Sequence, residues 1–475
     1  MAGPTECRVA AGEPGDRLHP RLAALTVAAS LPEHAMQSLA ATAPIDLDPL
    51  NAASARRQGM ALRGSIVFLL LSTTVLQRFG LNLGSYSANV TLLAMYAVLG
   101  IALASGRLSF ALDRVFIYVL CIAVAAGSML ANLNLAQIDR SSFSSLILLA
   151  AMFFPFVFVL KPDPQGRNDA DWVMRAFLNV ALICALAGIA QFFAQFVLRP
   201  PWLFDFTDYI PYVMRGPGGY NTVIPVGSLF KSNGFFFREP SLFSFVMALA
   251  LLAECVLYRR IVRIASFGLA LLVTYSGTGI LALFLGLLFP LGLRTLLRLG
   301  VVALVGGLAV LLLGDVLNLS FTLDRIGEFG SERSSAYIRY IAPFRVIADT
   351  MMSDAWTFWL GHGPGTIYRL GPMSAYEFHD PTWAKLLFEY GVLGFCAFVA
   401  LFVVMLNRSR IPIQVRAALF FSWLIMGGHL LMPENNYLAL VLVGFMPLAG
   451  LALARRKERV DADPESGTGR ADIPA

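Results

Sequence analysis

Charge is what this sequence has least of. Only 14% of its 475 residues are charged, against 57% hydrophobic, where a soluble chain of this length carries about 25% charged residues. That shortage argues against an ordinary soluble enzyme. Lysine is scarcer still, with Lys161, Lys231, Lys385 and Lys457 the four among 36 basic residues. The cations are therefore nearly all arginine, the better bidentate phosphate ligand, although a high-GC coding bias gives the same preference. The five cysteines (Cys7, Cys121, Cys184, Cys255 and Cys396) lack metal-ligand spacing, and none pairs in an outer loop. That speaks against a metal cluster and against a disulfide framework. HExxH, a Walker loop and GxSxG are missing as well. So are an Asp-x-Asp pair in the outer loops and any evident internal repeat. The net charge of +6 calls for no nucleic-acid partner, because cytoplasmic loops of membrane proteins are basic anyway.

What is present is a succession of apolar runs. Stretches of roughly 17–25 such residues cross a bilayer of about 30 Å as helices, whereas open sheets leave their backbones unsatisfied in lipid. The expected fold class is all-α: a polytopic integral membrane protein with about 12 transmembrane helices. Their centres fall near residues 73, 97, 122, 150, 186, 249, 269, 285, 306, 395, 421 and 444. The stretch 262–293 reads either as two short spans joined by "TYSGTG" or as one long kinked element. Residues 1–60 read as a disordered cytoplasmic tail rather than a signal peptide. Helices 1–9 are expected in 61–315 and a large helical periplasmic loop in 316–383. Helices 10–12 follow in 384–455, then a cytoplasmic tail in 456–475.

The positive-inside rule sets the orientation. With the amino terminus cytoplasmic, inner connections carry Arg56/Arg57/Arg63, Arg107/Arg114, Lys161/Arg167/Arg175 and Arg259/Arg260/Arg263. Arg294/Arg298, Arg408/Arg410/Arg416 and Arg455/Arg456/Lys457/Arg459 follow, so both termini are expected in the cytoplasm. Outer connections are short and almost uncharged, except for roughly 199–238 and 316–383. Those two are rich in Arg, Asp, Glu, Tyr and Trp, and long connections of this kind often carry function.

At the end of the first of these loops stands "GFFFREPSLFSF", residues 234–245. Proline is favoured at the first helical position, so Pro240 opens a span, Glu239 caps it and Arg238 precedes it on the outer face. In "EFHDPTWAKLLFEYGVLG", Pro381 is expected to open a span at its outer end in the same way, with Asp380 as cap and His379 before it. "MPENNY" puts Glu434 just after Pro433. Each helix amino terminus carries about half a positive charge. With Arg238 the three make a candidate site for an anion such as a diphosphate. The same field keeps His379 neutral and able to accept a proton. Lys231, in the same outer loop, is a further substrate-binding candidate. The bland alternative is a set of helix caps and interface anchors.

Residues 335–352 read as one amphipathic helix followed by the glycine-rich "GHGPG" of 361–365. Arg339 and Arg345 are six residues apart, about 120° around an unbroken helix. They grip one phosphate only if Pro343 bends the helix, so Arg339 is preferred, with Arg345 free to snorkel toward headgroups. "GHGPG" offers backbone N–H groups to an anion or is a plain turn. Glu389 sits about seven residues inside its span, about 10 Å deep. Lys385, four residues earlier, is placed to pair with it. An intramembrane carboxylate is a functional candidate; a structural ion pair is the alternative.

"GFFFREPS", "TYSGTG", "YIRYIAPF…FWLGHGPG" and "HDPTWAKLLFEYGVLG" together resemble the bacterial O-antigen polymerase and ligase superfamily of Wzy/WaaL-type glycosyltransferases. They occur in that family's order, with the large outer loop in its place, over roughly residues 60–455. The resemblance implies metal-independent, cofactor-free, inverting transfer of an undecaprenyl-diphosphate-linked oligosaccharide at the outer face of the bacterial inner membrane. The family's loop arginine falls on Arg339, its histidine on His379 and its acidic helix position on Glu389. Family members often have Asn after the histidine, where this chain has Asp380. Arg238 and Arg339 are then expected on the diphosphate and His379 on the acceptor hydroxyl. Glu239 either orients Arg238 or is itself the base. Arg345, Glu389 and Lys231 complete the expected substrate-binding set. A chain-length regulator and a flippase are the implied partners. Arg-Glu-Pro-Ser before a span resembles exopolysaccharide polymerases more than O-antigen ligases acting on lipid A–core. A secondary transporter or flippase, favoured only by Glu389 with Lys385, and a non-catalytic scaffold are the other readings.

Overall fold

A computed structural model describes residues 48–82, 87–133, 141–163, 169–198, 200–217, 222–290, 334–351, 354–370, 377–409, 411–425 and 429–445, with scattered positions between 292 and 308. The chain divides into two units, 1–58 and 59–475. Of the first, residues 48–58 are described, and they are the opening turns of helix α1 (Asp48–Thr74). Everything below concerns the second unit.

After α1 come α2 (Val90–Ala104), α3 (Leu112–Leu133), α4 (Phe143–Phe153) and α5 (Asp169–Ala194). Next are α6 (Pro240–Ala253), continued by a π-type turn at Glu254–Tyr258, then α7 (Ile261–Leu272) and α8 (Gly277–Leu287). Four short helices follow, α9 (Ser335–Tyr340), α10 (Ala342–Met351), α11 (Ala355–Leu360) and α12 (Ile367–Leu370). The set closes with α13 (Thr382–Asn407), α14 (Ile413–Ile425) and α15 (Pro433–Ala439), the last continued by a π-type turn at Leu440–Gly444. Eleven of the twelve centres read from the sequence fall on these helical residues, and the one near 306 lies outside the described residues. By length and composition, four described helices are able to cross a membrane: Leu112–Asn132, Asp169–Ala194, Pro240–Tyr258 and Thr382–Asn407. Five shorter apolar helices accompany them. The fold also contains short antiparallel strand pairs that apolar runs do not announce: β1 (Gly80–Asn82) with β2 (Ser87–Asn89), β3 (Leu108–Phe110) with β4 (Phe158–Leu160), and β5 (Pro225–Val226) with β6 (Leu229–Phe230).

The outward faces of the long helices are apolar. On α3, Phe116, Val119, Leu120 and Leu130 are all more than half exposed. Large exposed apolar surface on a folded chain marks contact with lipid or a partner, and with helices of this length lipid is the environment. The chain is a helical membrane protein.

α6 is the central element, buried nearly along its whole length and packed on α7, α8 and α14. Its Phe243 explains two glycines. A Cβ on Gly188 of α5, or on Gly234 (φ +65), would come much closer to that ring than ordinary contact and collide with it, so both positions must stay bare. The phenylalanines of "GFFF" are anchors here: Phe237 packs on Phe243, and Phe235 stacks on Phe206. "TYSGTG" resolves as a turn over its first three residues, after α7, with its "GTG" opening α8, so the two helices are separate. Gly279 lies against the backbone of α6 at Ser244, and its N–H donates to Ser244 Oγ at 3.1 Å.

The expected single helix over 335–352 is corrected to two. α9 ends at Tyr340 and α10 starts at Ala342. Pro343 has no N–H to donate to the carbonyl of Arg339, four residues back, so one helix cannot run through. α13 is also broken, with Gly391 at φ 64, ψ −168. There the backbone of Trp359–Leu360 comes so close that a Cβ on Gly391 would collide with it, and Gly361 (φ +72) meets residues 389–391 in the same way. "GHGPG" thus docks on the break: His362 N–H donates to Phe388 O at 2.8 Å and Gly363 N–H to Glu389 O at 2.9 Å. These N–H groups serve the protein's own carbonyls.

Candidate functional site

Glu239 is the N-cap of α6, and Pro240 is its first residue. The Glu239 side chain does not cap; its Oε2 accepts from Ser241 Oγ at 2.7 Å. That oxygen also lies 3.8 Å from Arg339 Nη2, with both side chains partly exposed. Arg339 stands in the last turn of α9. The next piece is brought in by backbone: His379 N–H donates to Ile338 O at 3.0 Å. Beneath it, Phe378 packs on a small core of Val346, Ile367 and Phe388, which ties α10, α12 and α13 to this segment. Glu239, Arg339 and His379 therefore converge from three stretches far apart in sequence. His379 is exposed. Partial burial of its ring, then the Arg339 guanidinium, pull its pKa below the usual imidazole value, against Asp380, Glu239 and Glu377.

Arg238 stands beside this group but points into the protein. It is 7% exposed. Its Nε donates to Gln77 O at 2.7 Å and its Nη1 to Pro217 O at 3.1 Å. Its Nη2 lies 3.1 Å from Glu434 Oε1, an oxygen that also accepts from Asn89 Nδ2. Glu434 is in the first turn of α15 behind Pro433, as the sequence indicates. The pair links the starts of α6 and α15. Removing one partner of such a buried pair strands the other, which costs about 3–5 kcal/mol. Glu434→Ala should therefore lower the thermal unfolding midpoint in detergent sharply. The double variant Arg238→Met/Glu434→Leu should cost less than the sum of its parts.

At the third helix start the expectation needs correction. Pro381, with extended backbone (φ −57, ψ 150), is the N-cap of α13 rather than its first residue. Asp380 does not cap. Its Oδ2 instead accepts from Lys385 Nζ at 3.2 Å and from Tyr368 Oη at 2.8 Å. Lys385 pairs with Glu389 as expected, at 3.9 Å, and both are fully buried. Arg345 is exposed on α10, its guanidinium 5.4 Å from the Tyr337 ring centroid. The break at Pro343 thus leaves Arg339 on Glu239 and Arg345 on Tyr337. Lys231 is buried just after β6, in a wall where Ser232 and Asn233 bond to Gln191.

Sequence reading missed Arg78. It is fully buried, donates twice to Phe237 O and once to Phe204 O, and pairs with Asp205 at 3.3 Å. It thereby fixes the backbone immediately before Arg238. A signal was present: an arginine at the end of the first apolar run remote from Arg56/Arg57/Arg63, where the positive-inside rule expects none. Asn89, whose partner Glu434 lies 345 residues away, gave no signal.

A partly exposed arginine, a carboxylate and a surface histidine thus come together in a helical membrane protein. More particularly, the chain belongs to the WcaD colanic acid polymerase family, whose model matches residues 66–447. This is a Wzy-type O-antigen and exopolysaccharide polymerase family, as the motifs of the sequence indicate. The match contains every candidate site residue. A search of curated proteins finds no match.

Proposed function

We propose that the protein is an inner-membrane polymerase that joins undecaprenyl-diphosphate-linked oligosaccharide repeat units at the periplasmic face. In this reading it has about 12 spans and both termini in the cytoplasm, with the 316–383 segment in the periplasm. The reaction is metal-independent inverting glycosyl transfer. The acceptor hydroxyl oxygen forms a bond to the donor's anomeric carbon as the bond to the diphosphate oxygen breaks. The electron pair leaves with the lipid diphosphate, and the hydroxyl proton passes to His379 Nδ1 or Nε2. Arg339 meets the charge that grows on the diphosphate, a task for a preorganised guanidinium. Glu239 holds Arg339 in place through the 3.8 Å contact. Arg238, committed to Glu434 and two carbonyls, serves the site by fixing the loop that carries Glu239. Glu389 and Lys385 support the same region from inside α13.

The observation that carries this reading is the convergence of Glu239, Arg339 and His379 in a chain of the polymerase family. The test uses purified protein in detergent, an undecaprenyl-diphosphate oligosaccharide and EDTA, with product size followed on a gel. A ladder of products is expected. A substrate left unchanged with EDTA but extended when divalent cations are restored would refute metal independence. A substrate unchanged in both conditions, but transferred to lipid A–core, would make the protein a ligase.

A further inference from the structure

Tyr368 combines exposure with fixation. Its side chain is 57% exposed, yet both its ring and its hydroxyl are held. The hydroxyl donates to Asp380 Oδ2 at 2.8 Å, and Lys385 Nζ lies 3.7 Å from the ring centroid. The residue before it, Ile367, is locked into the small core with Val346 and Phe388. Lys385 is 1% exposed, and a buried lysine in an apolar helix is costly. Here that amine holds one ring and two carboxylates, Asp380 at 3.2 Å and Glu389 at 3.9 Å. A tyrosine that merely anchors a helix at the lipid surface needs its depth set, but not its orientation. A ring whose orientation is fixed in advance loses little freedom when a ligand packs on it.

The ring's surroundings indicate the ligand. Asp380, which accepts from the Tyr368 hydroxyl, directly follows His379, so the ring is tied to the segment that carries the proposed base. A pyranose presents an apolar C–H face with a rim of hydroxyls. An aromatic ring covers the first while nearby polar groups take the second. Because Lys385 occupies one face of the ring, a single face is left for a sugar. We propose that Tyr368, with Asp380, forms the acceptor subsite, stacking the sugar whose hydroxyl attacks and presenting it to His379. The proposal rests on the polymerase reading and adds the place where the second glycan binds.

The experiment titrates purified full-length protein in detergent with oligosaccharides cut from the producing strain's own exopolysaccharide. These carry no lipid diphosphate, and binding is read by saturation-transfer NMR. Wild type should bind, and Tyr368→Leu should bind about tenfold more weakly, equivalent to about 1.4 kcal/mol. Tyr368→Phe keeps the ring and should stay within about threefold of wild type, which separates lost stacking from lost folding. In the extension assay Tyr368→Leu should raise the acceptor KM by a similar factor, with kcat much less affected. Equal binding by wild type and Tyr368→Leu overturns the subsite and makes the tyrosine a lipid anchor. No binding by wild type overturns it also. A wild type that binds the oligosaccharide more tightly than Tyr368→Leu but builds no ladder upholds a glycan site at Tyr368 and refutes the polymerase reading instead.

Discussion

Replacing Arg339 by alanine is expected to slow chain extension by about 10²–10³-fold, the usual cost of removing one preorganised donor from a developing negative charge. The same change should barely move the unfolding midpoint. Arg339 meets Glu239 at 3.8 Å with 26% and 31% of the two side chains exposed, and solvent-screened pairs of this kind contribute about 0–1 kcal/mol. The two magnitudes separate function from architecture. A residue whose loss stops turnover but leaves the fold intact acts on substrate. Arg238 should behave in the opposite way, because its partners are buried carbonyls and Glu434. Arg339→Lys is a useful intermediate: it keeps the charge and loses the planar fork, so partial activity is expected. Full activity in Arg339→Ala would remove the residue from the site and with it the arrangement proposed above.

Part of this site was legible from local chemistry alone. Proline's preference for a helix start placed Pro240 and Pro433 correctly, and with them Glu239 and Glu434. The spacing of Lys385 and Glu389 was enough to pair them. The same local rule misplaced Asp380, because its carboxylate is taken by Lys385 and Tyr368 before it can cap anything. The helix over 335–352 read as continuous because its apolar periodicity survives the break, while the missing N–H of Pro343 stops the backbone ladder. Gly361 lies in a stretch that also reads as a plain turn, and Gly391 lies inside an apolar run. Their role is mutual, since each keeps the other's backbone approachable, and a contact of that kind has no signature in either stretch by itself. Convergence is the least legible property of all. Arg238, Asn89 and Glu434 meet across most of the chain, and only the folded arrangement supplies that information.

The pH dependence of the reaction should identify the base. A histidine acts as base when neutral, and His379 has its pKa pulled below the usual imidazole value, first by burial and then by Arg339. Rate should therefore be full at neutral pH and fall on acidification, with a midpoint below about pH 6.5. Glu239 pushes that pKa upward, so Glu239→Gln removes a stabiliser of the imidazolium. The acid limb should then move to still lower pH while substantial activity remains. If Glu239 were the base, Glu239→Gln would abolish turnover instead, and the limb of the wild type would report a carboxylate. His379→Gln completes the comparison: a loss of about 10²–10⁴-fold is expected for a removed general base, with the acid limb gone from whatever rate remains. A His379→Gln enzyme that turns over normally, with an unchanged profile, would pass the role of base to Glu239, whose carboxylate lies 3.8 Å from Arg339.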